Sequence, residues 1–241
     1  PTFDRKKANY LLRSFVDLHE ATLEKKVKII LDHFDANAYY RINGRAKAMI
    51  VTRSRLHAVR YKMAVDRFIL DNHLPYQALV AFSGTVNDPA DGQPYSESSM
   101  NTRSSGKHIP ETATAEAFKE DKFRIMIVAE KFQTGFDQPL LCGMYVDKRL
   151  AGIQAVQTLS RLNRAYPGKN TTYVLDFVND TVEVLAAFKT YHTTAELSAT
   201  TDPNLVYNLR SKLDAAGHYD DFEVERVVMV ELNSNAKQSE L

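Results

Sequence analysis

The chain has 241 residues, of which 44% are hydrophobic, 25% charged and 10% aromatic; these globular proportions exclude disorder, collagen and coiled coil as whole-chain descriptions. Surface scaling gives a buried fraction of about 72% for this mass, enough for a core without disulfide or metal staples. The net charge of +1 singles out no partner, and the lone Cys142 allows no intrachain disulfide or thiolate cage, which fits a reducing cytoplasm.

In chain order, Leu23, Val27, Ile30 and Phe34 share one helical face, so residues 1–40 read as a helical lead-in. The chain opens on Pro1, which fits either a segment of a longer protein or loss of an initiator Met. Residues 47–51 (KAMIV) read as a buried strand, and Ser54 can cap a helix carrying Leu56, Val59, Met63 and Leu70. Residues 41–67 hold eight Lys/Arg against Asp66 alone, a candidate phosphate-facing surface, although a charge run is more commonly a solvated helix face. A second strand is expected at 77–82 (QALVAF). Residues 83–108 read as a long polar loop, of the kind that is functional or mobile. A helix over 111–121 and strands at 124–129 (RIMIVA) and 143–147 (GMYVD) come next. Residues 152–165 read as one helix, 172–178 (TYVLDFV) as a fifth strand, and Asp180 caps the next helix.

Such alternation predicts an α/β fold: a parallel sheet of about five or more strands over 41–195, with helices on both faces. Residues 196–241 form a helical C-terminal extension in which Leu205, Leu209 and Leu213 share a side, while 222–232 fits a strand or a buried helix equally. No apolar run approaches the ~20 residues of a membrane span.

Parallel sheets bind ligands beyond the carboxyl ends of their strands. The segments 52–55, 83–85, 131–139 and the helix carrying 157–164 are therefore expected to gather on one sheet edge. They are rich in hydroxyls, glycine and arginine, which suits phosphate. Gln157, Arg161 and Arg164 sit at i, i+4 and i+7 on one helix face, where two guanidinium forks could grip a polyphosphate; taken alone, such a spacing more often marks a solvated face. No Walker A loop occurs, since Gly106-Lys107 runs into His108 and Gly168-Lys169 into Asn170. No Asp-Glu dipeptide occurs either. The seven histidines form no metal constellation, so no metal ligands are expected.

The run Ala129-Glu130-Lys131-Phe132-Gln133-Thr134-Gly135-Phe136-Asp137-Gln138-Pro139-Leu140-Leu141 resembles motif V of superfamily 2 helicases, in the wording of the motor-and-nuclease (R) subunit of type I restriction enzymes. Residues 155–164, with Gln157-Thr158-Leu159-Ser160-Arg161-Leu162-Asn163-Arg164, resemble motif VI. Lys47–Arg55 resembles motif IV, and Ala78–Gly84 the segment after it. The likeness runs from about residue 18 to 215. It implies that 41–195 is the second RecA-like domain of such a subunit, the first RecA-like domain and the nuclease domain lying elsewhere. It also implies a nucleotide, ATP with Mg2+, held mainly by that first domain. Arg164 would then be the arginine finger, Arg161 a second phosphate or interdomain contact, and Gln157 an organiser of the cleft. Gly135 and Asp137 would lie near the nucleotide, and Thr134 would couple it to DNA. Thr52, Arg53, Ser83 and Gly84 would face the backbone of double-stranded DNA. Further implied partners are the methylation and specificity subunits of a cytoplasmic complex that translocates DNA before cutting it; the isolated chain would be inactive. A stand-alone nucleotide- or nucleic-acid-binding module without ATPase activity is the other reading.

Overall fold

The structure, a computed structural model, describes residues 18–103, 105–132 and 136–199, with side chains through 190. Thr134, Gly135 and the expected elements at 205–213 and 222–232 lie outside the described residues. The chain divides into two compact units, residues 1–189 and 190–241, and the sheet belongs to the first.

Among the described residues seven strands are formed: β1 (Lys47–Thr52), β2 (Gln77–Ala81), β3 (Thr85–Asn87), β4 (Pro94–Ser96), β5 (Phe123–Ala129), β6 (Leu141–Asp147) and β7 (Tyr173–Asp176). Five of them make a wholly parallel central sheet in the order β2-β5-β1-β6-β7. β1, β5 and β6 are buried along their whole length, as near-continuous apolar runs predict for strands covered on both faces. Period-two alternation splits each run between two cores. Ala48, Ile50, Val80, Ile125, Ile127 and Tyr145 point to one, and Met49, Val51, Leu79, Met126, Val128 and Met144 to the other.

The first core is closed by α1 (Glu20–His33) and α2 (Arg55–Asp71). Leu23, Val27, Ile30 and Phe34 are all buried there, so the lead-in helix is part of the sheet's own packing. Ser54 caps α2 by accepting from the His57 N–H at 3.3 Å. The second core is closed by the one-turn helix Thr114–Ala117, by α3 (Ile153–Leu159) and by Val184 and Phe188 of α4 (Thr181–Ala199). Asp180 caps α4 through its carboxylate, which accepts from the Val182 N–H at 2.7 Å. Helices thus cover both faces.

Two expectations are corrected. The polar stretch at 83–108 is built rather than loose. It folds into a hairpin of β3 and β4, then a one-turn helix at Glu97–Met100 with a Ser96/Ser99 capping box. Its purpose is visible at β2, an edge strand whose outer backbone groups need partners. The Asn101 side chain accepts from Val80 N–H at 2.9 Å and donates to Val80 C=O at 2.7 Å, so one amide stands in for a neighbouring strand. The Glu97 carboxylate accepts from Phe82 N–H at 2.9 Å. The second correction concerns 152–165: α3 stops at Leu159, tightens into a 3-10 turn at Ser160–Leu162 and leaves helical geometry at Asn163. A 3-10 turn brings residues three apart onto one side. Leu159 and Leu162 therefore both reach the second core, and the chain beyond is freed from the helix.

Candidate functional site

The connection from β5 to β6 is the element that organises the site. It leaves β5 at its carboxyl end and must cross β1 to enter β6 at its amino end. It leaves through a tight turn in which Ala129 C=O accepts from Lys131 N–H at 2.7 Å. Glu130 and Phe132 both take φ of +63°, a left-handed conformation that side chains adopt at a cost of about 1–3 kcal/mol each. The Phe132 ring then stacks on Phe136 at 4.7 Å, pinning the loop across the second core. At the far end Leu140 C=O accepts from Lys47 N–H, the first residue of β1. Residues 138–140 are therefore at the amino edge of the sheet.

This path corrects the expectation of a single edge. Residues 53–55, 83–85 and 130–132 gather at the carboxyl edge, whereas Asp137, Arg161 and Arg164 gather toward the amino edge. A strand of six residues puts roughly 20 Å between the two.

At the amino edge, Arg161 Nη1 donates to Phe136 C=O at 3.2 Å, and Arg164 Nε donates to Asp137 at 3.0 Å. Arg164 and Asp137 are 47% and 69% exposed, so this ion pair is readily opened by solvent or a ligand. Gln157 is exposed on α3. Because helical geometry ends at Asn163, Arg164 does not continue the helical face of Gln157; Arg161 and Arg164 converge through the loop at 136–137 instead. Lys169 joins the same place, its ammonium donating to the carbonyls of Pro139, Leu162 and Arg164 at 3.0, 2.8 and 2.9 Å. Burial holds its pKa below the usual lysine range. Nothing in the spacing of Lys169 marks it; only the turn signal Pro167-Gly168 precedes it.

At the carboxyl edge, Ser83 and Gly84 are exposed, and Gly84 takes φ of +75°. The positive φ favours glycine here, and the Arg55 guanidinium lies close over the turn, donating to Ser83 C=O at 3.2 Å. Arg53 is half-buried beside it. Thr52 is fully enclosed: its hydroxyl donates to Val128 C=O at 3.0 Å and ties β1 to β5, so it is not a surface that DNA could touch. The basic segment also disperses. Arg60 forms a bidentate pair with Asp88, Lys62 meets Asp66, and Arg67 meets Glu20 and Glu24. Lys47 is buried at the opposite edge, its ammonium donating to Phe123 C=O at 2.6 Å. Of the eight, Arg53 and Arg55 directly follow β1 at the carboxyl edge.

Behind that edge lie two buried carboxylates that no local pattern marks. Glu97, 1% exposed, accepts from Phe82 N–H, Thr114 Oγ1 and Lys131 Nζ, joining the turn at Ser83 to the turn at Glu130. Burial raises its pKa above the usual carboxylate range against the pull of those donors. Asp147, 1% exposed, accepts from Lys26 Nζ at 2.9 Å and Tyr61 Oη at 2.7 Å and locks α1 and α2 to the end of β6. Among the described residues no group of three His, Cys, Asp or Glu could hold a metal ion, and no helix is long and apolar enough to cross a membrane.

Known proteins share this region of the chain. Residues 92–179, which include Glu97, the β5–β6 connection and both arginines, match the family model described as type I restriction enzyme subunit R domain 3. The chain is 28% identical over 243 residues to a Methanocaldococcus jannaschii protein named as the putative type I restriction enzyme MjaVIIP endonuclease subunit, covering 98% of this chain and 22% of that protein. It is 31% identical over 157 residues to the type I restriction enzyme HindI endonuclease subunit of Haemophilus influenzae, covering 61% of this chain and 14% of the relative. A more distant likeness, at 13% identity and a TM-score of 0.38, is to the C-terminal part of the Fun30 ATPase domain, over 66% of this chain and 44% of that one. The chain thus spans about a fifth or less of these curated relatives, and residues 92–179 are where it resembles the R subunits of type I restriction enzymes.

Proposed function

We propose that this chain is the second RecA-like motor half of an R subunit, closing over ATP and Mg2+ held chiefly by the first. The observation that carries the reading is the convergence of Arg161 and Arg164 on residues 136–137, at one edge, with no phosphate-binding loop of their own. Two guanidinium groups without a phosphate cradle fit a composite site: they can neutralise charge on a nucleotide that another domain holds. ATP would supply the phosphoryl group whose departure develops that charge. Arg164 would leave Asp137 to stabilise it, Arg161 would fix the loop at Phe136 and the interdomain contact, and Gln157 and Asp137 would border the nucleotide.

DNA would run along the opposite edge, against Arg53, Arg55, Ser83 and Gly84, with Thr134 coupling it to the nucleotide and Gly135 lying near the nucleotide. The β5–β6 connection touches both edges and would carry nucleotide state to the DNA path. Backbone contacts of this kind bind weakly, without sequence preference, and with strong dependence on salt. The rest of the enzyme would supply cleavage by the nuclease domain and recognition by the methylation and specificity subunits, in the cytoplasm. The isolated chain would neither hydrolyse ATP nor cut DNA.

The test is Arg164→Ala in the intact subunit. A finger acts on the transition state more than on binding. Turnover should fall by roughly 10³–10⁵, about 4–7 kcal/mol of barrier, with much less effect on ATP affinity. Lysine should not restore it, because a point charge cannot copy the planar fork. Near-normal turnover in a folded Arg164→Ala subunit removes the finger from this position.

A further inference from the structure

We infer that Lys169 is the positioning residue of the arginine finger, an inference that rests on the motor reading above. Beyond the 3-10 turn the backbone carrying Arg164 has no helix or strand to hold it. What it has is Lys169. An ammonium offers three N–H donors and no acceptor. All three are used here, on carbonyls from three pieces of chain: Pro139 at the entry to β6, Leu162 at the end of the 3-10 turn, and Arg164 itself.

Local structure delivers the ammonium to that point. Tyr166 C=O accepts from Lys169 N–H at 2.9 Å, closing a four-residue turn with Pro167 and Gly168 at its centre. Gly168 takes φ of +82°, the value that the third position of such a turn requires and glycine alone supplies cheaply. Arg45 Nη1 donates to Tyr166 Oη at 3.1 Å and braces the turn from the start of β1. The ammonium therefore links the end of the β5–β6 connection to the finger's own peptide, so that a shift of the loop at 136–139 moves Arg164 with it.

A group that only positions the finger has a recognisable signature. Misplacing a catalytic group by about 1 Å costs on the order of 10²-fold in rate while leaving binding nearly intact. In the intact subunit, Lys169→Met should lower kcat for ATP by roughly 10–100-fold and change ATP affinity by less than about threefold. The double variant Lys169→Met/Arg164→Ala should be no slower than Arg164→Ala alone, since the tether has nothing left to hold. Lys169→Arg keeps charge and donors but not the tripod shape, and should fold normally while losing roughly tenfold in kcat. It is the deciding variant if Lys169→Met melts below the assay temperature. Wild-type kcat in a folded Lys169→Met or Lys169→Arg subunit overturns the inference, as does a further loss of the same size on the Arg164→Ala background. The two readings fail separately. If Arg164→Ala keeps its turnover the finger itself is wrong; if it collapses while the Lys169 variants are normal, only the tether is.

Discussion

The two edges of the sheet are built from the same kinds of residue and held in opposite ways. At the carboxyl edge the charges are wired into the interior. Glu97 and Asp147 are each 1% exposed and accept from partners on separate elements, so the turns above them have one geometry. At the amino edge the paired charges of Arg164 and Asp137 face solvent across a single contact. A buried carboxylate that loses its donors is left uncompensated, whereas an exposed pair trades its partner for water at little cost. One edge suits a fixed track for an extended ligand, the other a cation that changes partner during a cycle.

The largest effect that would break this comparison is at Glu97. Glu97→Ala leaves the Phe82 N–H, the Thr114 hydroxyl and the Lys131 ammonium without their shared acceptor. Thermal unfolding should show a loss of about 3–5 kcal/mol, or a drop in Tm of roughly 10 °C. A change below about 1 kcal/mol would mean that the carboxyl edge is no more tightly wired than the amino edge.

Lys47 sharpens the comparison, because it is a buried charge on the amino edge. Burial pushes its ammonium down to about 8, with Arg124 adding to the effect. The folded value lies below that of an unfolded lysine, so the folded state holds the proton less well. The cost of the buried charge is fully present below about pH 8 and is relieved as pH rises toward the unfolded value. Stability should therefore gain on the order of 1–3 kcal/mol from Lys47 between about pH 8 and the unfolded value near ~10.4, most of it visible by about pH 9.5. The gain should vanish in Lys47→Met. An identical pH profile in that variant would show that the ammonium is hydrated in solution.

The smallest effect belongs to the exposed pair. Asp137→Ala should move stability by no more than about 0–1 kcal/mol, within a degree or two of Tm. A loss comparable with that of Glu97→Ala would show Arg164 to be structurally committed, and unfit to change partners.

Much of the frame is legible from local pattern. The five strands of the sheet announce themselves as short apolar runs, and Ser54 and Asp180 as caps, because each depends only on residues within a turn of itself. The candidate arginines are legible as a motif but not in their arrangement. Residues 152–165 carry a helical pattern, yet the helix stops at Leu159 and the 3-10 turn at Ser160–Leu162 releases Arg164 from it. Likewise the polarity of 83–108 reads as a loop, although Glu97 and Asn101 spend their polar atoms on the open edge of β2.

Sequence alone determined the five strands of the parallel sheet and the α/β class, since these rest on periodicity and on short contiguous runs. Tertiary structure decided which of those motifs meet. Strand order sends the β5–β6 connection across β1, and that crossing puts residues 130–132 and 137–140 at opposite edges. It likewise decided which charges are buried, because a lysine or glutamate carries no local mark of the carbonyls, amides and hydroxyls that distant segments will bring to it. Lys169 beside Arg164, and Glu97 between two turns, exist as sites only once the sheet has closed.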